Sequence, residues 1–531
     1  MTPLAPAGAA SGVRRRAGLL ALLVVSAAAS FGCAAFPEGT YWPRARAAPG
    51  APLERLPAPP ERGAPARPAA RAPLGDRVQA NVTRRWADEG LARSARRMSA
   101  WAGRCTYADA LGAIGWCYVD PVRYGDLVGA GIDSLRGALE NAAFRGRFPE
   151  AGDAARRARF AEALEVLALK ARAAGPWLAC QAAEWLDVAM EKNRAMLGLP
   201  DGAVVTELLF GAMDSLDPYT RFVTPEMRDA ERLREEYVGV GIEAVRRDGR
   251  ALVRRVFEGG PADRAGLAVG DEILAVDGRP APEGDLAEWL RGMRGKAGST
   301  VRLTIRSPGA AETREVDLVR RTVRVPPVEG AQMLGGGVAA GYVRLRYFGG
   351  GAAAALRRAV RGLARQGAKS LILDLRDNPG GSLLEAVEIA GLFLPGGRVL
   401  EIRGRMLGAT WKCDVPFLAR RAWRGPMAVL VNAHTASASE ALASALAARG
   451  RAVVVGRRTF GKGAAQIDLP VAWGSAAVHV TIARVYDPSR ACLESRGVAP
   501  PVAVEEGAAD VALEDDPDVR AALEHMPSSP E

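Results

Sequence analysis

Three short apolar runs near the end of the chain constrain its fold more than any other feature. They cover residues 371–375, 427–431 and 452–456, and the segments between them have helical spacing. Continuous apolar runs of this length are typical of strands that are buried on both faces, as in parallel sheets with intervening helices. From Gly341 onward we therefore predict an α/β domain.

Three polar loops follow these runs and contain most of the candidate catalytic side chains. The first loop covers residues 376–381, the second residues 432–440 and the third residues 458–466. In an open α/β sheet, loops beyond the carboxyl ends of the strands lie at one edge and build the functional site. We therefore expect the three loops to come together.

The side chains in these loops are the set that acyl transfer requires. Ser437 and Ser439 each offer a hydroxyl, which becomes a nucleophile when a neighbouring base takes its proton. Lys462 is such a base when its amine is neutral. Backbone N–H groups at Gly380 or Gly381 are suited to hold a developing oxyanion, because no side chain obstructs them. This chemistry needs neither a cofactor nor a metal.

A β-rich segment with glycine-bearing turns precedes the α/β domain. Pro261 is placed to begin a short helix that Gly266 ends, and Asp277-Gly278 is typical of a tight hairpin turn. The segment resembles a PDZ domain over residues 235–321. In that family a glycine-bearing loop offers N–H groups to a peptide carboxylate, and the peptide adds to the sheet as a strand. The loop here consists of Gly239, Val240, Gly241 and Ile242.

Further motifs extend the resemblance over most of the chain. The segment from Asp201 to Val504 resembles the carboxyl-terminal-processing (tail-specific) serine peptidases, which combine a PDZ domain with a Ser-Lys dyad. The motifs occur in the family's order: residues 217–220 (Asp-Pro-Tyr-Thr), 224–226 (Thr-Pro-Glu), the PDZ segment, 378–381 (Asn-Pro-Gly-Gly), 436–440 (Ala-Ser-Ala-Ser-Glu) and 460–463 (Phe-Gly-Lys-Gly). The resemblance implies a multidomain α/β fold, with an N-terminal helical region, a β-rich PDZ domain and a peptidase core of the crotonase/ClpP-like type.

The resemblance also assigns roles to individual residues. Ser437 matches the family's nucleophile, Lys462 its base and Gln466 the glutamine that supports the lysine. The oxyanion donors it implies are the N–H groups of Ala438 and of Gly380 or Gly381. The implied function is a serine endopeptidase that cleaves protein substrates near their C-termini, with the PDZ domain binding the substrate tail and gating the site.

Other interpretations of the same residues stay open at this point. Ser439 is a second candidate nucleophile, but we predict that it caps the following helix. His434 is an alternative base. Glu440 is predicted to interact with the helix N-terminus, and a supporting role on Lys462 is the alternative. An alternative hypothesis, from another class of function, is that the chain is a non-catalytic PDZ adaptor with a vestigial peptidase fold. The intact Ser-Lys pair disfavours this hypothesis.

The N-terminal residues predict export to a bacterial cell envelope. Residues 1–33 contain three arginines followed by an apolar run, as in a secretory signal. Cys33 is a candidate for lipidation, which would anchor the chain to a membrane in the periplasm, and simple cleavage or an uncleaved anchor are the alternatives. Residues 34–75 are rich in Pro, Ala and Arg and are predicted to form a disordered tether.

Changes in the sequence pattern define the remaining domains and segments. They are a helical domain over 76–234 with inserted helices at 141–199, a catalytic core over 322–504 and an acidic tail over 505–531. Cys105 and Cys117 are candidates for a disulfide in an oxidising compartment. Residues 324–327 and 335–337 are predicted to form a hinge between the PDZ domain and the core, because stiff prolines are followed by three glycines.

The net charge of the chain is +11, yet it does not indicate a nucleic-acid-binding protein. Much of the excess positive charge lies in the first 75 residues, and the net charge of the other residues is ordinary for a protein surface. The expected partners are C-terminal tails of envelope proteins. An adaptor or activator protein and self-association stay open.

Overall fold

A computed structural model describes ten segments of the chain. They are residues 74–174, 179–232, 236–247, 249–282, 289–290, 292–335, 339–405, 410–417, 421–505 and 512–526. The predicted leader with Cys33, and the predicted tether up to residue 73, lie outside the described residues. No helix within the described segments is long and apolar enough to cross a membrane.

The described residues form two compact units. The first contains the chain up to Glu226 together with Arg403–Thr410 and Ala464–Arg484. The second contains Met227–Ile402, Trp411–Gly463 and Val485–Glu531.

The first unit is mainly helical, as predicted for the N-terminal region. Its helices are α1 Leu74–Trp86, α2 Glu89–Arg97, α3 Ala100–Cys117, α4 Tyr124–Glu140, α5 Ala142–Arg147, α6 Ala154–Ala173, α7 Ala179–Met196, α8 Asp201–Asp214 and α9 Pro225–Arg232, the last of which crosses the boundary between the units. A 3₁₀ turn, Pro149–Ala151, separates α5 from α6. Strand β1, Arg221–Val223, pairs antiparallel with a later strand at 477–486, which in turn pairs with the strand at 464–470.

The structure decides against Cys105 and Cys117 as a disulfide pair, which the sequence offered as a candidate. Both side chains are buried, and both residues belong to α3. Twelve residues of helix separate them, which corresponds to about 18 Å at 1.5 Å per residue. A disulfide needs Cα atoms within about 7 Å.

The PDZ domain begins the second unit. Its elements are β2 Glu236–Gly239, β3 Ile242–Arg247, β4 Arg250–Val256, α10 Pro261–Arg264, β5 Glu272–Val276, β6 Arg279–Pro280, β7 Thr300–Arg306, β8 Arg314–Val319 and β9 Arg321–Arg324. The sheet order is β3-β4-β5-β7-β8, with β6 on β5, and β2 pairs with β9. Asp277 and Gly278 both have positive φ, which confirms the predicted hairpin turn. The domain extends to Arg324, because β9 completes the pair with β2.

The chain that follows the PDZ segment contains the predicted parallel sheet, and its residues 464–484 belong to the first unit. Its elements are β10 Val328–Met333, β11 Ala340–Leu345, α11 Ala352–Arg365, β12 Ser370–Asp374, α12 Leu383–Ala390, β13 Gly397–Arg403, β14 Thr410–Val415, β15 Met427–Val431, α13 Ala438–Ala448, β16 Val453–Gly456, β17 Ala464–Pro470, β18 Ala477–Tyr486, β19 Val502–Ala503 and α14 Pro517–His525. Strands β11, β12, β15, β16 and β19 run parallel, and β10 is antiparallel to β11. The three apolar runs therefore form adjacent parallel strands.

Of the three glycines predicted to belong to a hinge, Gly336 and Gly337 lie outside the described residues. Strands β10 and β11, which flank this segment in the sequence, pair antiparallel, with Met333 opposite Gly341. The core sheet thus already begins at Val328. Three residues, Val325 and the two prolines that follow it, lie between β9 of the PDZ domain and β10.

The described residues 512–526 of the predicted acidic tail contain a packed helix, which corrects the prediction for this part of the segment. Helix α14 packs on one face of the core sheet through Val519 and Ala522, which are 1% and 0% exposed. Asp516 caps this helix by accepting from the N–H groups of Asp518 and Val519. Helix α14 is therefore an integral part of the core.

Candidate active site

The three polar loops meet at the carboxyl edge of the parallel sheet. They leave the ends of β12, β15 and β16, which are neighbouring strands. The N–H of Ala436 donates to the carbonyl of Asn378 over 3.0 Å, which joins the second loop to the first. The N–H of Phe460 donates to the carbonyl of Thr435 over 3.0 Å, which joins the third loop to the second.

Ser437 lies where the second loop turns into helix α13. It is the N-cap residue, and its φ of 57° and ψ of −116° place it outside the regions that L-residues prefer. Such conformations persist only where the surroundings hold them, and they cluster at functional sites. Ala438 begins the helix, so its N–H has no acceptor within α13.

Glu440 binds the second loop, which contains Ser437, and the third loop, which contains Lys462. Its side chain is fully buried. One carboxylate oxygen accepts from the N–H of Ser437 at 2.7 Å and of Lys462 at 2.8 Å. The other accepts from the N–H of Gly461 at 2.7 Å and the hydroxyl of Thr459 at 2.5 Å. Glu440 therefore does more than interact with its own helix, and it fixes the backbone of Lys462 beside that of Ser437.

Ser439 is not the helix cap that the sequence predicted. It is the second residue of α13 and fully buried, and its hydroxyl donates to the carbonyl of Asn378 at 3.1 Å. The cap position belongs to Ser437 instead. His434 is exposed at the surface of the second loop. The buried position of Ser439 does not favour it as the nucleophile, and the exposed position of His434 does not favour it as the base.

Gly380, the first residue of the glycine pair, lies against Ser437. A Cβ added at Gly380, whose φ is +95°, would lie 2.9 Å from the Ser437 Cβ and 2.9 Å from the Ala438 nitrogen. One added at Gly381, with φ of +137°, would lie 2.4 Å from the carbonyl oxygen of Phe348. Both positions therefore require glycine.

The two glycines differ in what their N–H groups do. The Gly380 N–H donates to the side-chain oxygen of Asn378 at 2.9 Å. Among the residues that the structure describes, no acceptor binds the N–H of Gly381 or of Ala438. Of the two glycines that the sequence left open as oxyanion donors, Gly381 is therefore the one whose N–H is available to a ligand.

The lysine loop is also held on its far side. The Gly463 N–H donates to the Glu494 carboxylate at 2.8 Å, and its carbonyl accepts from the Val485 N–H at 2.7 Å. The side chain of Lys462 is half-buried. This loop is consequently anchored on both sides of the lysine.

Gln466 belongs to the first unit, on strand β17. Its amide donates to the Thr481 hydroxyl at 3.2 Å. The Thr481 N–H donates to the hydroxyl of Thr220, which donates to Asp217 at 2.9 Å. The Asp-Pro-Tyr-Thr motif therefore supports the strand pair that contains Gln466, a connection that the sequence order alone does not show.

The loop predicted to bind a peptide carboxylate connects β2 to β3. The carbonyl of Val240 accepts from the Ala262 N–H at 2.8 Å, and that of Gly241 from the Phe257 N–H at 2.9 Å. Gly241 has a φ of +81°. Strand β3 is an end strand of its sheet, so no neighbouring strand among the described residues covers its outer edge. That edge suits the addition of an extended peptide.

Comparison with known proteins agrees with this geometry. Residues 339–504 match the model of peptidase family S41, and residues 252–307 match that of the PDZ domain. The chain is 36% identical over 318 residues to the carboxyl-terminal-processing protease of Picosynechococcus sp., covering 58% of this chain and 75% of that protein. The chain belongs to peptidase family S41. It is a serine-type peptidase of the carboxyl-terminal-processing group.

Two further likenesses concern a chloroplast protein and a solved structure. Carboxyl-terminal-processing peptidase 3 of Arabidopsis thaliana is 34% identical over 307 residues, which span 55% of this chain and 59% of that protein. The solved photosystem II D1 C-terminal processing protease is 27% identical, with a TM-score of 0.42 over 79% of this chain and 96% of that one.

Replacing Glu440 with Gln should lower peptidase activity strongly. The amide nitrogen cannot accept a hydrogen bond, and bonds to a charged acceptor are each worth about 1.5–3 kcal/mol. Since 1.36 kcal/mol corresponds to a tenfold change in rate, we expect kcat/KM on a peptide substrate to fall by about 10- to 100-fold.

The matched control is Asp153→Asn, because the exposed Asp153 carboxylate also accepts from two backbone N–H groups, at the start of α6. Its kcat/KM should stay within about twofold of wild type. Equal activities of the two variants would contradict the role of Glu440.

Proposed function

We propose that this peptidase cleaves protein substrates near their C-termini through a dyad of Ser437 and Lys462. The observation that carries the proposal is the buried Glu440 carboxylate. It accepts from the backbone N–H of both residues, so the nucleophile and the amine approach the same place from two loops. An adaptor with a vestigial fold would gain nothing from the unfavourable φ of Ser437.

The reaction proceeds by acyl transfer. The Ser437 hydroxyl proton passes to the neutral Lys462 amine as the oxygen bonds to the scissile carbonyl carbon. The resulting oxyanion accepts from the N–H groups of Ala438 and Gly381. The lysine then donates its proton to the departing amine, the C–N bond breaks, and water hydrolyses the acyl-enzyme by the same steps. The N-terminus of α13 adds favourable electrostatic potential at the oxyanion.

The PDZ domain is proposed to bind the substrate tail. The glycine-bearing loop before β3 would receive the terminal carboxylate, and the tail would add along the open edge of β3. The N-terminal leader predicts export, so we expect the substrates among envelope proteins. Apolar C-termini are favoured, because such domains accommodate side chains in pockets beside the added strand.

Ion pairs connect this PDZ strand to the catalytic core. Glu243, at the start of β3, binds Arg346 at 3.0 Å, just beyond the end of β11. Arg346 also binds Glu329 at 2.9 Å, and Glu329 binds Arg255 of β4 at 3.2 Å. Arg346 and Glu329 of the core thus bind strands β3 and β4 of the PDZ domain.

The same core segment contacts the oxyanion loop. The Phe348 N–H donates to the Gly380 carbonyl at 2.9 Å, and the Phe348 carbonyl accepts from the Ser382 N–H at 2.8 Å. Phe348 lies two residues beyond Arg346. A tail that shifts β3 therefore acts on a segment bonded to the glycine loop, and we propose that tail binding shifts the population toward an aligned site.

Replacing Lys462 with Arg should abolish cleavage without unfolding the protein. A guanidinium stays protonated and cannot accept the Ser437 proton. We expect kcat to fall by at least about 100-fold, as for loss of a general base. The exposed Lys369 provides the control, since Lys369→Arg should retain full activity. Activity of the Lys462 variant within tenfold of wild type would instead favour His434 as the base.

A free tail peptide should stimulate the cleavage of a short, tailless reporter peptide. We expect an uncleavable apolar peptide with a free carboxylate to raise the initial rate several-fold, and its C-terminal amide to have little effect, because the amide lacks the charge that the N–H groups receive. Gly241→Ala should lose the stimulation and keep the basal rate, since φ at this position is +81°. Equal effects of acid and amide would contradict carboxylate recognition, and no stimulation by either would contradict gating.

A further inference from the structure

Helix α14 lies outside the part of the chain that matches the peptidase family. That match ends at residue 504, whereas α14 covers Pro517–His525. Its buried residues pack on the sheet face formed by Ile372, Ala428 and Val455. The start of the helix is thereby held near the carboxyl edge of the sheet, where the catalytic loops begin.

Asp518, in the first turn of α14, binds the bases of two catalytic loops. Its side chain is 2% exposed. One of its oxygens accepts from Arg376 at 2.9 Å and from Arg457 at 3.2 Å. Arg376 begins the loop that leads to the oxyanion glycines, and Arg457 directly follows Gly456, the last residue of β16. One carboxylate therefore joins the glycine loop to the lysine loop.

Arg376 is held on every side by acidic groups. It donates through two nitrogens to Asp374, the fully buried last residue of β12, and also binds Asp516 at 2.8 Å. The Tyr342 hydroxyl donates to Asp374 at 2.6 Å. Burial, and then the neighbouring Asp374 charge, raise the pKa of Tyr342, so its hydroxyl keeps the proton that it donates. Together these contacts hold the Arg376 guanidinium in a single position.

Short backbone segments connect these two arginines to the proposed reacting groups. From Arg376 the chain reaches Gly380 in four residues, and from Arg457 it reaches Lys462 in five. The intervening Asp377 is itself fixed, because its N–H donates to the Asn432 side chain at 3.0 Å. A change in either arginine would therefore displace the oxyanion donors or the amine.

We propose that Asp518 is a positioning residue for catalysis, through which the C-terminal helix sets the glycine loop against the lysine loop. This inference rests on the proposed function, in which those loops supply the oxyanion donors and the base. Asp518 touches no reacting atom and acts through Arg376 and Arg457. Its loss should consequently lower turnover more than it weakens substrate binding.

The test compares Asp518→Asn with Asp515→Asn in the full chain. Asp515 lies just before the same helix and binds Arg520 at 2.6 Å, in a pair that is more than half exposed. For Asp518→Asn we expect kcat on a short peptide to fall by at least tenfold and KM to change less than twofold. Asp515→Asn should match wild type in both constants.

Amide hydrogen exchange of the same three proteins provides a readout that does not depend on activity. In Asp518→Asn, exchange should be faster in residues 376–382 and 457–462 and unchanged in the PDZ sheet. Wild-type exchange in both loops, or a uniform increase over the whole chain, would overturn the inference. If the wild type cleaves no peptide, the proposed function fails, and the exchange comparison still decides whether Asp518 positions the loops.

Discussion

The buried carboxylate of Glu440 is the interaction on which the rest of the site depends. A carboxylate is costly to bury unless donors saturate its oxygens. Here the saturating donors are backbone N–H groups of Ser437, Gly461 and Lys462, with the Thr459 hydroxyl. The condition that makes burial tolerable therefore fixes the second loop against the third, and it holds Ser437 in its unfavourable backbone conformation.

The parallel sheet brings three loops to one edge, and two carboxylates then join them. Glu440 connects the second loop to the third, and Asp518 connects the first to the third. A backbone hydrogen bond from the Ala436 N–H to the Asn378 carbonyl connects the second loop to the first. Each loop is thus held by groups that lie outside it, which is how a site on loops reaches the precision that acyl transfer requires.

The parallel strands, the PDZ domain and the loop cluster could be predicted from the sequence, because apolar runs and glycine turns are local signals. Other features depend on contacts between distant residues. Helix α14 has only nine residues and buries chiefly Val519 and Ala522, a pattern too short to distinguish it from a tail. The reach of Glu440 across 22 residues to Lys462 is visible only in the fold.

The most direct test of the account is mass spectrometry of the C-termini that the protein produces from a substrate with a free apolar tail. Wild type, Ser437→Ala and Ser439→Ala are compared under the same conditions. The account predicts new C-termini with wild type and Ser439→Ala, and none with Ser437→Ala. New C-termini at the wild-type rate with Ser437→Ala would contradict it.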